Sequence, residues 1–223
     1  MKKIILLATV ALACSVSANA QNSYSGSYNR VSVSYNNTNL SMKMSEGGVS
    51  LDHSVSLNGV GLDYIHGFGL SKSLPLFLET GLKAKYSFGN DSFDDFDGIN
   101  IEVEDKYKFF TFEVPVNLTY MFGVSSNVTI APYAGINFKL HASGKVTEKY
   151  QGESEDTNVF SKDDMEDTWN RFQMGWQVGV GAYFSDFYLG VGYGTDFIKL
   201  LNESKDGMKI NTGNLSVSLG YTF

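Results

Sequence analysis

Between Phe110 and Phe122 the chain alternates without a break. Phe110, Phe112, Val114, Val116, Leu118, Tyr120 and Phe122 take one parity, and Glu113, Asn117 and Thr119 take the other. Successive side chains of a β-strand point to opposite faces, so this stretch has one apolar and one polar side. Apolar residues at a period of two exclude an amphipathic helix, which needs a period near 3.6. The stripe is also long. A soluble half-buried strand runs about 5–6 residues, whereas a tilted strand that crosses a bilayer takes about 9–11.

The same signature recurs along the chain. Leu76, Leu78, Leu82, Ala84 and Tyr86 oppose Glu79, Lys83 and Lys85; Val128, Ile130, Ile136, Phe138 and Leu140 oppose Thr129, Asn137 and Lys139. Phe172–Phe184, Phe187–Phe197 and Leu215–Phe223 behave alike, and shorter stripes stand at Val31–Tyr35 and Val60–Tyr64. That makes eight strands. The expected fold is an all-β, eight-stranded antiparallel up-and-down transmembrane β-barrel, an even strand number as single-chain bacterial barrels have. Closure is required, because an open edge in hydrocarbon strands unpaired backbone groups at several kcal/mol each. Short turns are expected near Ser71–Leu74, Gly123–Asn127 and Ser185–Asp186. Long polar connections are expected at Asn39–Ser54, Asn90–Lys106, Ser143–Trp169 and Asn202–Lys209. This is the asymmetry between the periplasmic and outer ends of such barrels. Aromatics near stripe ends, among them Tyr86, Phe88, Phe109, Phe110, Tyr120, Phe122, Trp169, Phe184, Phe187 and Phe223, are expected to form headgroup-level girdles. Pro115 and Pro132 cannot donate to a ladder and are expected at bulges or rims.

The first twenty residues predict export. Lys2 and Lys3 precede the apolar run Ile4–Leu12, and Ala18-Asn19-Ala20 supplies a small-residue cleavage site. The run is too short for a membrane-spanning helix. Residues 1–20 are therefore expected to be a signal peptide and residues 21–223 one barrel domain. The single cysteine, Cys14, lies within that leader, so no disulfide or cysteine-ligated metal is expected. Its setting also departs from a lipoprotein signal, with Leu12 one place off. The formal charge of −7 becomes −9 once Lys2 and Lys3 are removed. Such acidity argues against nucleic acid as a partner, since that binding relies on cations set against phosphate.

Leu215-Ser-Val-Ser-Leu-Gly-Tyr-Thr-Phe223 resembles the C-terminal signal of outer-membrane proteins, an alternating strand with a final aromatic. The resemblance implies that Tyr221 and Phe223 are read by the barrel assembly machinery. Phe112-Glu-Val-Pro-Val-Asn-Leu-Thr-Tyr120, Ala131-Pro-Tyr-Ala-Gly-Ile-Asn137 and Leu78-Glu-Thr-Gly-Leu82 are similar to strands of the PorT-like outer-membrane β-barrel family common in Bacteroidetes. The likeness spans most of the chain with loose motifs, and implies a barrel of the OmpA/OmpX shape. It implies location in the outer membrane among its lipids. It implies no reaction, because fold alone does not carry function.

Three constellations bear on chemistry. Arg30, Asp63, Glu79, Lys83, Lys85, Glu113, Lys139, His141, Arg171 and Asp196 share the polar parity and are expected in the lumen. Eight strands enclose a space that side chains just fill, so paired charges forming a plug are expected, with a narrow ion path as the alternative. The acidic loops come second: Asp95, Asp97 and Glu104 fall at three ligand positions of an EF-hand loop, but Phe93 stands at the first. They are weak candidates for a divalent cation, against a solvated loop. Third, His141 and Ser143 stand two apart and share a face of an ideal strand, a pairing that a lipid-modifying hydrolase would need. That face is the lumen, whereas lipid arrives from outside, and no catalytic residue is assigned. No cofactor is expected. The leading expectation is a non-enzymatic outer-membrane barrel whose acidic loops meet a surface ligand or ion. A small channel, a lipid-modifying enzyme and a soluble barrel binder are the rivals.

Overall fold

In the computed structural model, residues 26–46, 49–93, 103–150, 153–161, 168–201 and 209–223 are described. The expected leader (1–20), Cys14, Asp95 and Asp97 lie outside them. Ten strand segments form the described fold: β1 (Ser27–Glu46), β2 (Val49–Gly69), β3 (Leu76–Phe93), β4 (Val103–Tyr120), β5 (Phe122–Ser125), β6 (Val128–Tyr150), β7 (Glu153–Asn158), β8 (Phe172–Phe184), β9 (Phe187–Asp196) and β10 (Lys209–Thr222). All pairings are antiparallel: β1–β2, β2–β3, β3–β4, β5–β6, β6–β7, β8–β9 and β9–β10 join sequence neighbours, and β1–β10, β4–β6 and β6–β8 complete the ring. The ring β1-β2-β3-β4-β6-β8-β9-β10 therefore closes with eight positions. β5 and β7 extend β4 and β8 rather than adding positions.

Both extensions have a local cause. Thr119 pairs with Tyr133 and Phe122 with Ile130, in one register; the ladder lapses only beside Pro132, which has no N–H to donate. Met121 donates its N–H to the Pro75 carbonyl instead (2.9 Å). Pro115 acts alike. Thr80 pairs with Val116 and Lys83 with Glu113, so the rungs between are missing while the register holds. Neither proline sits at a bulge, one of the two expected placements, though Pro132 does lie near the lower rim, opposite the end of β4; each deletes rungs without shifting the strands. The register shifts lie elsewhere: Phe110 pairs with Ser143 but Thr111 with His141, leaving Ala142 as the extra residue, and Gly123 pairs with Thr129 but Ser125 with Val128, leaving Val124.

The apolar parity faces outward. Val33, Leu62, Leu118, Val178, Val191 and Leu219 are exposed, while Glu79 and Glu113 on the opposite parity are each 2 % exposed. Large apolar residues standing bare around a closed sheet are explained by a hydrocarbon solvent, which is what a transmembrane barrel presents them to. Glycines on the inner face make room for bulk. A Cβ on Gly179 or Gly192 would lie 2.4 or 2.3 Å from Tyr133, and one on Gly181 or Gly190 2.5 or 2.3 Å from Tyr188.

The strands run past this belt, through much of the regions expected to be loops. Above the belt the chemistry of the two parities inverts. Leu40, Val55, Leu57, Tyr107 and Phe109 are buried inside, while Ser54, Ser56 and Lys108 face out. Phe109 is thus an interior residue, not a girdle residue. So is Trp169, for a different reason. Lys145 pairs with Asn158 and Leu140 with Phe172, so residues 159–171 bridge an interval that 141–144 cover on the neighbouring strand. At its described ends this segment turns inward: Val159, Phe160 and Trp169 join Leu200, Leu201 and Ile210 in an apolar cluster that fills the upper lumen. A second cluster, Tyr28, Phe77, Met121, Ala131, Tyr183 and Tyr188, fills the lower lumen.

Candidate functional site

Between the two clusters lies a dense group of inward-facing charges, and each of its members is placed by strand parity. Near the lower cluster, Arg30 donates from Nη1 to Glu79 Oε1 (2.9 Å) and to the Tyr183 hydroxyl, and its guanidinium stacks 3.9 Å from the Tyr188 ring centre. Tyr28 also donates to Glu79. At mid-height Lys85 Nζ meets Glu113 Oε2 at 2.5 Å, with Lys83 Nζ 3.9 Å from Oε1. Asp63 accepts from Ser32 and Ser34 at 3.5 and 3.4 Å. Higher up, Lys139 Nζ reaches both oxygens of Asp196, at 2.9 and 2.8 Å, and Thr212 donates to the same carboxylate. The cations Arg30, Lys83, Lys85 and Lys139 match the anions Asp63, Glu79, Glu113 and Asp196 in number, so the interior carries no formal excess. This is the condition under which charges can be held away from water.

Arg171 is the exception to the expected set. It precedes the start of β8, where the inserted segment rejoins the wall, and its side chain is exposed. It donates to the carbonyls of His141 and Ala142 (3.3 and 3.0 Å) and stacks on Phe160 at 4.9 Å. It therefore ties the inserted segment to β6 rather than joining the lumen charges.

His141 and Ser143 are not brought together. The bulge at Ala142 resets parity, so His141 is buried and Ser143 exposed. His141 is engaged on both nitrogens, by Thr111 at 2.8 Å and Gln173 at 2.6 Å. The neutral tautomer, donating from Nε2 to the Gln173 amide oxygen and accepting from the Thr111 hydroxyl, satisfies both bonds. Glu104 faces outward and pairs with Lys106 (3.3 Å) and Lys149 (3.8 Å). Among the described residues no cluster of three histidines, cysteines or carboxylates is placed to hold a metal. Tyr221 and Phe223 are exposed at the end of β10, where Phe223 N–H bonds to the Asn29 carbonyl at 2.9 Å.

Empty space in the lumen is scarce. A cavity of about 40 Å³ lies between Lys85, Lys139, His141 and Gln173 below and Leu40, Leu57 and Phe109 above; another of about 10 Å³ lies near Glu113 and Asn137. These hold a few waters at most. The residues that sequence reasoning missed are Tyr28, Tyr183 and Tyr188. They sit on the inner parity, as Tyr133 does by the alternation of its strand, and pack around Arg30. Their position among inward glycines was the signal.

At the rim above the belt, Asp105 has its carboxyl raised above the usual aspartate value, first by burial and then by Glu148 and Asp91. Asp156, on the outer surface, is held below it by hydrogen bonds from Lys145 and Thr147.

The family model for "Outer membrane protein beta-barrel domain" matches residues 6–223. No curated protein matches. Among solved structures the chain is similar to Ail, the attachment invasion locus protein of Yersinia pestis, crystallised with the heparin analogue sucrose octasulfate (15 % identity, 89 % of this chain and 99 % of that one, TM-score 0.38). It is also similar to Neisserial surface protein A (15 %, 89 % and 98 %, TM-score 0.36) and to the outer membrane protease OmpT from Escherichia coli (12 %, 92 % and 99 %, TM-score 0.35). The family match covers nearly the whole chain and agrees with the closed ring and its outward apolar belt: the chain belongs to the outer membrane protein β-barrel domain family and resides in the cell outer membrane.

Proposed function

We propose that this protein is a non-conducting, non-enzymatic barrel that anchors a raised, polar-surfaced sheet at the cell exterior for contact with a surface ligand. The observation that carries this reading is the filling of the lumen at three levels. A lower aromatic cluster, a charge-balanced middle and an upper apolar cluster stand in series along the barrel axis. A solute would have to displace Phe160 and Trp169, then part Lys139 from Asp196, then pass Tyr183 and Tyr188. Each step breaks packing or desolvated ion pairs worth several kcal/mol. Catalysis finds no support in the placement of His141, which is spent on two neutral hydrogen bonds.

Within its family, we place the chain with the PorT-like barrels on the strand motifs around Glu113-Val-Pro115 and Pro132-Tyr-Ala-Gly135. The test of the non-conducting reading is planar-bilayer recording of the refolded protein. No discrete current steps are expected from the intact chain. Reproducible steps of uniform size would establish the channel reading in its place.

A further inference from the structure

We propose that the outer face of β4 and β6, immediately beyond the apolar belt, is a binding surface for the phosphate groups of an anionic glycolipid in the outer leaflet. Lys108 pairs in register with Lys145 across these strands, and both side chains are exposed. Lys106 is the next outward residue on β4 and Lys149 stands two outward positions beyond Lys145 on β6, so four lysines share one sheet face. Like charges directly opposite one another across an antiparallel pair destabilise it. The sheet carries that arrangement here rather than spreading it.

The position matters as much as the charge. Along β4 the next outward residue from Lys108 toward the belt is Phe110, at the top of the lipid-facing stripe. On the other side Lys108 pairs with Phe88, an exposed aromatic of the belt edge. The lysines thus begin where the hydrocarbon ends, at the depth of headgroup phosphates. The same rung continues from Phe88 to Asn58 and from Asn58 to Asn37, both uncharged. On this rung the cations therefore stand on one side of the barrel; the other cross-strand lysine pair, Lys43 with Lys209, lies farther from the belt, where Lys43 meets Asp52 at 3.2 Å.

Partial neutralisation exists: Asp156 meets Lys145 at 2.5 Å and Glu104 bridges Lys106 and Lys149. Two carboxylates against four ammonium groups leave the face cationic on a chain whose total charge is negative. Among the described residues Lys108 makes no ion pair at contact distance, its charge reaching Asp156 only at longer range, and of the four lysines it and Lys145 stand nearest the belt. A di-anionic phosphate between Lys108 and Lys145 would remove their repulsion, while the acyl chains of the same lipid would cover Phe88, Phe110 and Leu140.

The test uses the full refolded chain in zwitterionic detergent micelles, titrated with a diphosphorylated disaccharide glycolipid and with its dephosphorylated counterpart. Retained lipid is read by native mass spectrometry, and folding of every variant is checked by heat-modifiable gel migration. The phosphorylated form is expected to bind and the dephosphorylated form to bind far more weakly. Each lysine near an anionic surface is worth about five-fold in affinity, so Lys108→Ser with Lys145→Ser is expected to lose about 25-fold. Lys43→Ser, on the far side of the barrel, is expected to lose nothing measurable. Equal retention of the two lipids, an equal loss in Lys43→Ser, or full displacement by millimolar inorganic phosphate would each overturn the proposal.

Discussion

Replacing Lys139 by methionine tests whether the lumen charges are held dry. The ammonium group of Lys139 is bidentate on Asp196, whose side chain is 0 % exposed, and the only other group that donates to that carboxylate among the described residues is the Thr212 hydroxyl. Methionine fills the space of the aliphatic stem but leaves Asp196 a buried anion with one hydrogen bond. Breaking one side of a buried pair in this way costs about 3–5 kcal/mol. With a urea dependence of about 2–3 kcal/mol per molar, the unfolding midpoint in lipid vesicles falls by about 1–2 M. The double variant Lys139→Met, Asp196→Leu removes both charges. It recovers most of that loss or exceeds the wild type, because two desolvated ions are replaced by apolar volume. Gln173 still donates to Thr212 at 3.2 Å, so the hydroxyl is not orphaned. Tryptophan fluorescence against urea gives the midpoints. If Lys139→Met costs less than about 1 kcal/mol and the double variant recovers nothing, Asp196 is hydrated in the native barrel, and the filled-lumen argument fails.

Three further outcomes are expected. Gly81→Ala places a Cβ 2.0 Å from the backbone oxygen of Tyr64, which only a backbone shift relieves, whereas at Gly213 the nearest atom is 3.6 Å away. Gly81→Ala loses about 1–3 kcal/mol in the same unfolding assay and Gly213→Ala is near neutral. Trp169→Ala removes a ring stacked on Phe109 at 5.8 Å. Because this cluster lies above the belt it opens locally: hydrogen exchange speeds up at the amides of His141 and Val159, which bond to Arg171 and Gly144, while the amides of β9 keep their protection. The raised carboxyl of Asp105 means its folded value exceeds the unfolded one, so stability is fully present below the unfolded value near 3.8 and is lost as pH rises through the folded value. Asp105→Asn therefore slows exchange of the β4 amides near Asp105 at pH 7, and the difference from wild type vanishes below about pH 4.

The membrane-crossing part of the barrel was legible because lipid outside and a polar lumen inside write a period of two in hydropathy. Glu113 and Lys139 could be assigned to the interior from their neighbours alone. The raised upper sheet was not legible, because the same strands there reverse their chemistry. Beyond Thr38 the inward residues become Leu40 and Met42 while the outward ones become polar, so a reading tuned to outward grease reports a loop. Leu40, Val55, Leu57, Tyr107 and Phe109 do continue the inner parity without a slip; only their polarity changes. The inserted segment was hidden for another reason. Val159, Phe160 and Trp169 are separated by the acidic run Asp163, Asp164, Glu166 and Asp167, and nothing in local spacing says that they meet. Arg171 was misassigned for the same cause, since the insertion breaks the parity count just before β8. The prolines were misread as bulge sites because a missing donor was equated with a displaced strand. In this sheet each of them removes rungs, and the ladders on either side hold the register.

Nitroxide scanning of β10 in vesicles addresses the inside–outside assignment itself. Single cysteines, each carrying a spin label, are placed in turn at positions 215 to 222, and collision rates with oxygen and with a water-soluble nickel chelate are recorded. Labels at 215, 217, 219 and 221 are predicted to show high oxygen and low nickel accessibility, with those at 216, 218, 220 and 222 low for both. High nickel accessibility at the even positions, or loss of the two-residue period, would contradict a lipid-facing apolar side wrapped around a filled interior.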